Sequence, residues 1–126
     1  MKIAFDIETD GLNPTKIYCI AAKVIGQDVT EFWTPETVKY FPAWLVEINA
    51  DTLIGHNIIG FDLPVLKKLL GFEWWGDIED TLVMSRLDNP SRDGGHSLAA
   101  WGLRMNYSKG EFSDWTHYSQ EMKEYC

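Results

Sequence analysis

At 126 residues and 14.5 kDa the chain has the size of one domain and excludes a second independent one. Its 45% hydrophobic and 24% charged residues exclude a disordered or collagenous polypeptide, and no apolar run reaches the roughly 18 residues that a membrane helix needs. A formal charge of −8 argues against a free-standing nucleic-acid binder, whose affinity comes from Lys and Arg on phosphates, unless acids are gathered around divalent cations that carry positive charge to the substrate.

Lys2 to Ile7 reads as a strand, followed by a turn at Asp10-Gly11-Leu12-Asn13-Pro14. Ile17 to Ile25 is a second β-branched, apolar run, and Gly26-Gln27-Asp28 predicts a hairpin into a third strand over Val29 to Trp33. From Thr37 the period changes: Phe41, Trp44, Leu45 and Ile48 fall at helical spacings, with Thr37 or Glu36 near the cap. Thr52 to Ile54 is a short buried strand ending in Gly55. Phe61 to Leu70 is a predicted helix with Pro64 in its first turn and Gly71 as its stop. Helices are predicted over Glu79 to Leu87, Ser97 to Leu103 and Ser113 to Cys126. No repeat or long linker divides the chain, so residues 1–126 form one unit, a mixed sheet with helices packed on it. Cys19 and Cys126 make no disulfide framework or zinc motif and are expected to be reduced; without a secretory pattern at its start, the chain is expected to be cytosolic.

Asp6 and Glu8 lie two apart on the first strand and point to one face, while Ile3, Phe5 and Ile7 take the other. Two acids side by side push a proton onto one of them unless a cation lies between; the competing reading is a strand end facing solvent. A second polar cluster is Gly55-His56-Asn57-Ile58-Ile59-Gly60-Phe61-Asp62, in which a strand ends and an Asp arrives at a helix start. There Asp62 is either a capping residue or a functional acid, and His56 a structural histidine or a ligand.

Taken together, Phe5-Asp6-Ile7-Glu8-Thr9-Asp10-Gly11-Leu12 resembles the first motif of the DEDD 3′–5′ exonucleases, and His56-Asn57 with Phe61-Asp62 resembles the second. Of the two forms of the third motif, the Tyr type fits better, through Tyr125-Cys126, after which the sequence stops three residues short of a fourth acid; the His type fails because Met122 stands five places after His117. The connecting segments resemble the proofreading domain of phage family A DNA polymerases: Asp80-Thr81-Leu82 to Leu87, Gly95-His96-Ser97-Leu98 with Trp101-Gly102, Lys109-Gly110-Glu111-Phe112, and Met122-Lys123-Glu124-Tyr125. The spacing of Asn57 and Asp62 and the following Leu63-Pro64 also resemble family B polymerases.

The resemblance implies an α/β, ribonuclease H-like fold: a mixed five-stranded sheet, antiparallel meander first and parallel strands after, flanked by helices. It implies hydrolysis of the terminal phosphodiester of single-stranded DNA with two divalent cations, Mg²⁺ or Mn²⁺. On that carry-over Asp6 bridges the cations, Glu8 ligates one and orients the attacking water, and Asp62 acts at or near the second. Tyr125 hydrogen-bonds the water or the scissile phosphate. Thr9 and Leu12 match positions that meet the 3′-terminal nucleotide, although turn packing is an equal account of Leu12. Asn57 contacts substrate, His56 braces the loop, and Asp80 is either a helix cap or a support for the site; Trp74-Trp75 is read as loop packing or a contact with a neighbouring domain. The implied partners are a single-stranded DNA 3′ end and a polymerase region of the same longer chain, in a bacterial host cytoplasm if phage-encoded. The rival expectations are a non-cleaving scaffold or DNA-end-binding module and a stand-alone exonuclease acting on DNA or RNA.

Overall fold

Alternation along the first strand decides where the core lies. In the computed structural model, which describes residues 1–89, 91 and 95–97, β1 (Lys2–Thr9) buries Ile3, Phe5 and Ile7 on one face. It pairs antiparallel with β2 (Ile17–Val24), which pairs antiparallel with β3 (Thr30–Trp33), so the predicted meander forms. On its other side β1 runs parallel to β4 (Thr52–Gly55), and β4 runs parallel to β5 (Asp77–Asp80). The sheet order is β3-β2-β1-β4-β5, the mixed five-stranded sheet that the resemblance implied.

The face that carries Ile3, Phe5 and Ile7 packs on two helices, α1 (Phe41–Glu47) and α2 (Leu63–Leu70). Phe41 and Leu45 of α1 and Val65 and Leu66 of α2 join Ile20, Trp33 and Leu53 in one cluster. Phe41 is the hub, 5.6 Å from the Phe5 ring and 5.0 Å edge-on from Trp33. Buried rings at such spacings add specific geometry to the large area they remove from water. Cys19 is buried in β2 as a free thiol. Among the described residues no helix is long and apolar enough to cross a membrane.

Three sequence expectations need correction. Thr37 stands at the N-cap position of a single 3₁₀ turn over Val38–Tyr40 rather than of α1, and it makes no cap bond: its hydroxyl accepts from the Thr34 N–H at 2.7 Å, and α1 follows, opening on Phe41 with Pro42 second. The segment from Phe61 is not one α-helix: a π-helical turn over Ile58–Asp62 leads into α2, where Pro64 lies in the first turn as expected. At its end Gly71 adopts φ 66°, its N–H meeting the Lys67 carbonyl at 3.0 Å and that of Phe72 the Leu66 carbonyl at 3.3 Å, a left-handed stop that favours glycine. Lastly, Glu79 and Asp80 are strand rather than helix, and α3 spans Thr81–Asp88. The helices predicted over Ser97 to Leu103 and Ser113 to Cys126 lie outside the described residues apart from Ser97.

Candidate active site

Strand geometry places the Asp6 and Glu8 side chains on the face opposite Ile7, opposite Ala21 and Cys19 of β2 in register. The ladder shifts between Glu8 and Thr9, so the strand bends just past the second acid. Glu8 is buried, with 9% of its surface exposed, which removes the reading of a solvent-facing strand end.

Asp62 reaches the same place from the other side of the fold. Its backbone is already helical, φ −60° and ψ −49°, and its carboxylate makes no capping bond, so the helix-cap reading fails. Instead, the backbone N–H of Ile7, between the two strand acids, hydrogen-bonds the Asp62 carboxylate. Burial, then the charge of Asp6 and to a lesser degree that of Glu8, push the Asp62 carboxyl up to about 8, against the opposing pull of that N–H. Its Oδ2 is buried and has no hydrogen-bond partner. A buried carboxylate oxygen left unsatisfied is costly and calls for a missing ligand.

A hard divalent cation fits these residues. The donors are all carboxylate oxygens, mutually repulsive, and one has an orphaned lone pair aimed into the protein. Among the described residues no three of His, Cys, Asp and Glu converge on a single metal-sized point.

The loop that delivers Asp62 has unusual backbone. Asn57 is left-handed, φ 60° and ψ 31°, a region that Asn tolerates better than most residues. Its exposed side chain lies over Gly60, where a Cβ would come 2.5 Å from the Asn57 Oδ1. His56 Nδ1 pairs with the Thr81 hydroxyl at 2.9 Å, a tie between this loop and the start of α3. Asp80 makes hydrogen bonds to two segments. It caps α3 by accepting the N–H groups of Leu82 at 2.9 Å and Val83 at 3.4 Å. It also accepts those of Asn57 and Ile59, each at 2.9 Å. The part played by Thr81 was missed; its only signal is its place directly after the capping Asp.

Beyond the acids, the Thr9 hydroxyl donates to the Gly11 carbonyl at 2.9 Å and accepts from the Gly11 N–H, stiffening the turn. Asp10 closes the loop by accepting from the Thr15 hydroxyl, from the Thr15 N–H at 2.8 Å and from the Lys16 N–H at 3.2 Å. The Thr15 hydroxyl holds the Asp10 carboxyl below its ordinary value. Leu12 stands on this loop 95% exposed, which excludes turn packing as its purpose. Trp74 packs near Phe72 and donates to the Asp77 carbonyl at 3.0 Å, whereas Trp75 is 87% exposed and does not follow the packing expectation. His96 pairs with Ser85 of α3 at 2.8 Å. Tyr125, His117 and Cys126 lie outside the described residues.

No protein-family model matches the chain. The DNA-directed DNA polymerase of Escherichia phage T7 is 27% identical over 98% of this chain and 24% of the polymerase. Among solved structures, Brucella melitensis NrnC superposes with a TM-score of 0.75 at 28% identity, covering 98% of this chain and 64% of NrnC. NrnC is also known with bound Mg²⁺ and bound to pGG, the latter at a TM-score of 0.70 and 26% identity. Together these likenesses support a DEDD-type exonuclease domain of ribonuclease H-like fold. The domain also shares its fold with the family B DNA polymerase of Pyrobaculum calidifontis, at a TM-score of 0.63 and 19% identity over 82% of this chain. It spans about a quarter of the T7 polymerase and under two-thirds of NrnC. A polymerase region in the same chain draws no support from these alignments, which take up only the exonuclease part.

Proposed function

We propose that the domain is a divalent-metal-dependent 3′–5′ exonuclease that removes terminal nucleotides from single-stranded DNA. The observation that carries this reading is the buried, unpartnered Oδ2 of Asp62 held against Asp6 and Glu8. Asp6, Glu8 and Asp62 would hold the cations, which when bound supply positive charge to the phosphate oxygens and acidify water. NrnC with bound Mg²⁺ supports the choice of ion.

The residues of the chain then have separate tasks. Burial of Glu8 and Asp62 excludes bulk water and strengthens their electrostatics. The Ile7 N–H fixes the orientation of the Asp62 carboxylate. Leu12, exposed on a loop tied by Thr9 and Asp10, would meet the terminal base, and exposed Asn57 would meet the strand. Tyr125 is proposed to orient the attacking water or the phosphate.

A second reading has its own support: the substrate is a short oligonucleotide, RNA included. The likeness to NrnC bound to pGG favours it, as does the charge of −8, which leaves little to hold a long phosphate backbone.

The test is nucleotide release by this chain from 3′-labelled single-stranded DNA and from a ribodinucleotide, with Mg²⁺ or Mn²⁺, against EDTA and Asp6→Ala controls. Metal-dependent release from the 3′ end, reduced at least about a hundredfold by Asp6→Ala, is expected. Release only from the dinucleotide selects the second reading. Binding without turnover on either substrate selects a non-cleaving module.

A further inference from the structure

The turn that delivers Asp62 is tied from within by the Phe61 N–H on the Asn57 carbonyl at 3.0 Å and the Leu63 N–H on the Ile58 carbonyl, but its first N–H groups are held from outside. β4 ends at Gly55, in register with Asp80 of β5, and the chain then turns through left-handed Asn57 into a π-helical turn. A π turn leaves more N-terminal N–H groups without an intrahelical partner than a regular helix, and such turns cluster at functional sites. Asn57 makes no side-chain capping bond to it. The N–H groups of Asn57 and Ile59 leave the turn altogether and meet opposite oxygens of one carboxylate, Asp80 Oδ1 and Oδ2. That carboxylate is 3% exposed and serves four backbone N–H groups on two elements. A helix cap alone uses two of the four. The other two have no bearing on α3, and their effect is to set the path from Asn57 to Asp62.

We infer that Asp80 is the positioning residue of the site: its carboxylate clamps the Asn57–Ile59 backbone to the first turn of α3 and so sets where Asp62 stands against Asp6 and Glu8. The His56 to Thr81 hydrogen bond is a second tie between the same two segments. The inference rests on the proposed metal site, but its structural half is independent of turnover.

Asp80→Ser separates the two roles. Serine is as good a helix cap as aspartate, yet its single short hydroxyl cannot also span both oxygens' positions to Asn57 and Ile59. With Mn²⁺ alone as probe, calorimetry on the 126-residue chain is expected to show affinity lowered 10- to 100-fold, as when a metal ligand loses its outer support. The kcat for a single-stranded oligonucleotide should fall with it while KM stays near the wild-type value, because Asp80 is buried away from substrate. Amide exchange at Asn57 and Ile59 should accelerate while Leu82 and Val83 stay protected. Mn²⁺ affinity within about twofold of wild type, with those two amides still protected, would overturn the proposal. If Asp80→Ser does not fold, Asp80→Asn carries the same readouts, and in the wild-type chain fast exchange at Asn57 and Ile59 overturns it without any variant. A wild-type chain that binds no Mn²⁺ but shows the protected amides defeats the metal-site reading and leaves the clamp standing.

Discussion

The Asp62 carboxylate accepts the backbone N–H of Ile7, the residue that separates Asp6 from Glu8 along the strand. The contact joins two segments more than fifty residues apart in sequence and brings Asp62 to the strand that carries Asp6 and Glu8. Burial first, and the Asp6 and Glu8 charges next, raise the Asp62 carboxyl to about 8.

That raised value has a consequence for stability without metal. An ordinary Asp loses its proton near 3.8, so between there and about 8 the folded chain holds a proton that the unfolded chain has released. The contribution of this carboxyl to folding stability is therefore fullest below 3.8 and falls as pH rises toward about 8. Urea unfolding of the EDTA-treated chain at increasing pH should show this loss, of the order of a few kcal/mol. Asp62→Asn should flatten the profile, and Mg²⁺ or Mn²⁺ should restore wild-type stability at the alkaline end by binding only the folded state.

Leu12 exposes 95% of its side chain, so Leu12→Ala removes almost no buried surface. Its unfolding free energy should stay within about 0.5 kcal/mol of wild type. If Leu12 meets the terminal base, nucleotide release from the 3′ end should nevertheless slow severalfold. Paired thermal melts and release assays check both halves.

Gly55 lies where β4 gives way to the His56 loop, and a Cβ there would sit 2.3 Å from the Ile58 Cγ2 and 3.0 Å from the Phe5 carbonyl oxygen. Ile58 is fully buried and the Phe5 oxygen belongs to the central strand, so neither yields freely. Gly55→Ala should cost about 1–3 kcal/mol by overpacking. Chemical denaturation measures the loss, and because the Asp62 turn follows directly, Mn²⁺ affinity should fall as well.

The first strand was legible residue by residue. Alternation of Ile3, Phe5 and Ile7 with Asp6 and Glu8 already assigned one face to the core and the other to chemistry, because strand side chains alternate with period two. Pro64 and Gly71 likewise marked the first turn and the end of α2, since one lacks an N–H that a helix start does not need and the other accepts a positive φ. The fifth strand was not legible from its residues. Asp77-Ile78-Glu79-Asp80 carries three acids in four positions, poor strand formers that suit an exposed sheet edge; parallel pairing with β4 makes it a strand.

The site divides along the same line. Sequence alone determined which acids are candidates, since the chemistry of Asp6, Glu8 and Asp62 belongs to their side chains and to the motifs around them. Only the tertiary structure decided what Asp62 and Asp80 do, because each was also a credible helix cap. Asp62 makes no cap bond and turns to the Ile7 N–H, while Asp80 caps α3 and holds Asn57 and Ile59 as well. Those bonds span more than twenty residues, and they exist because parallel pairing brings Gly55 beside Asp80, a register that no local pattern encodes.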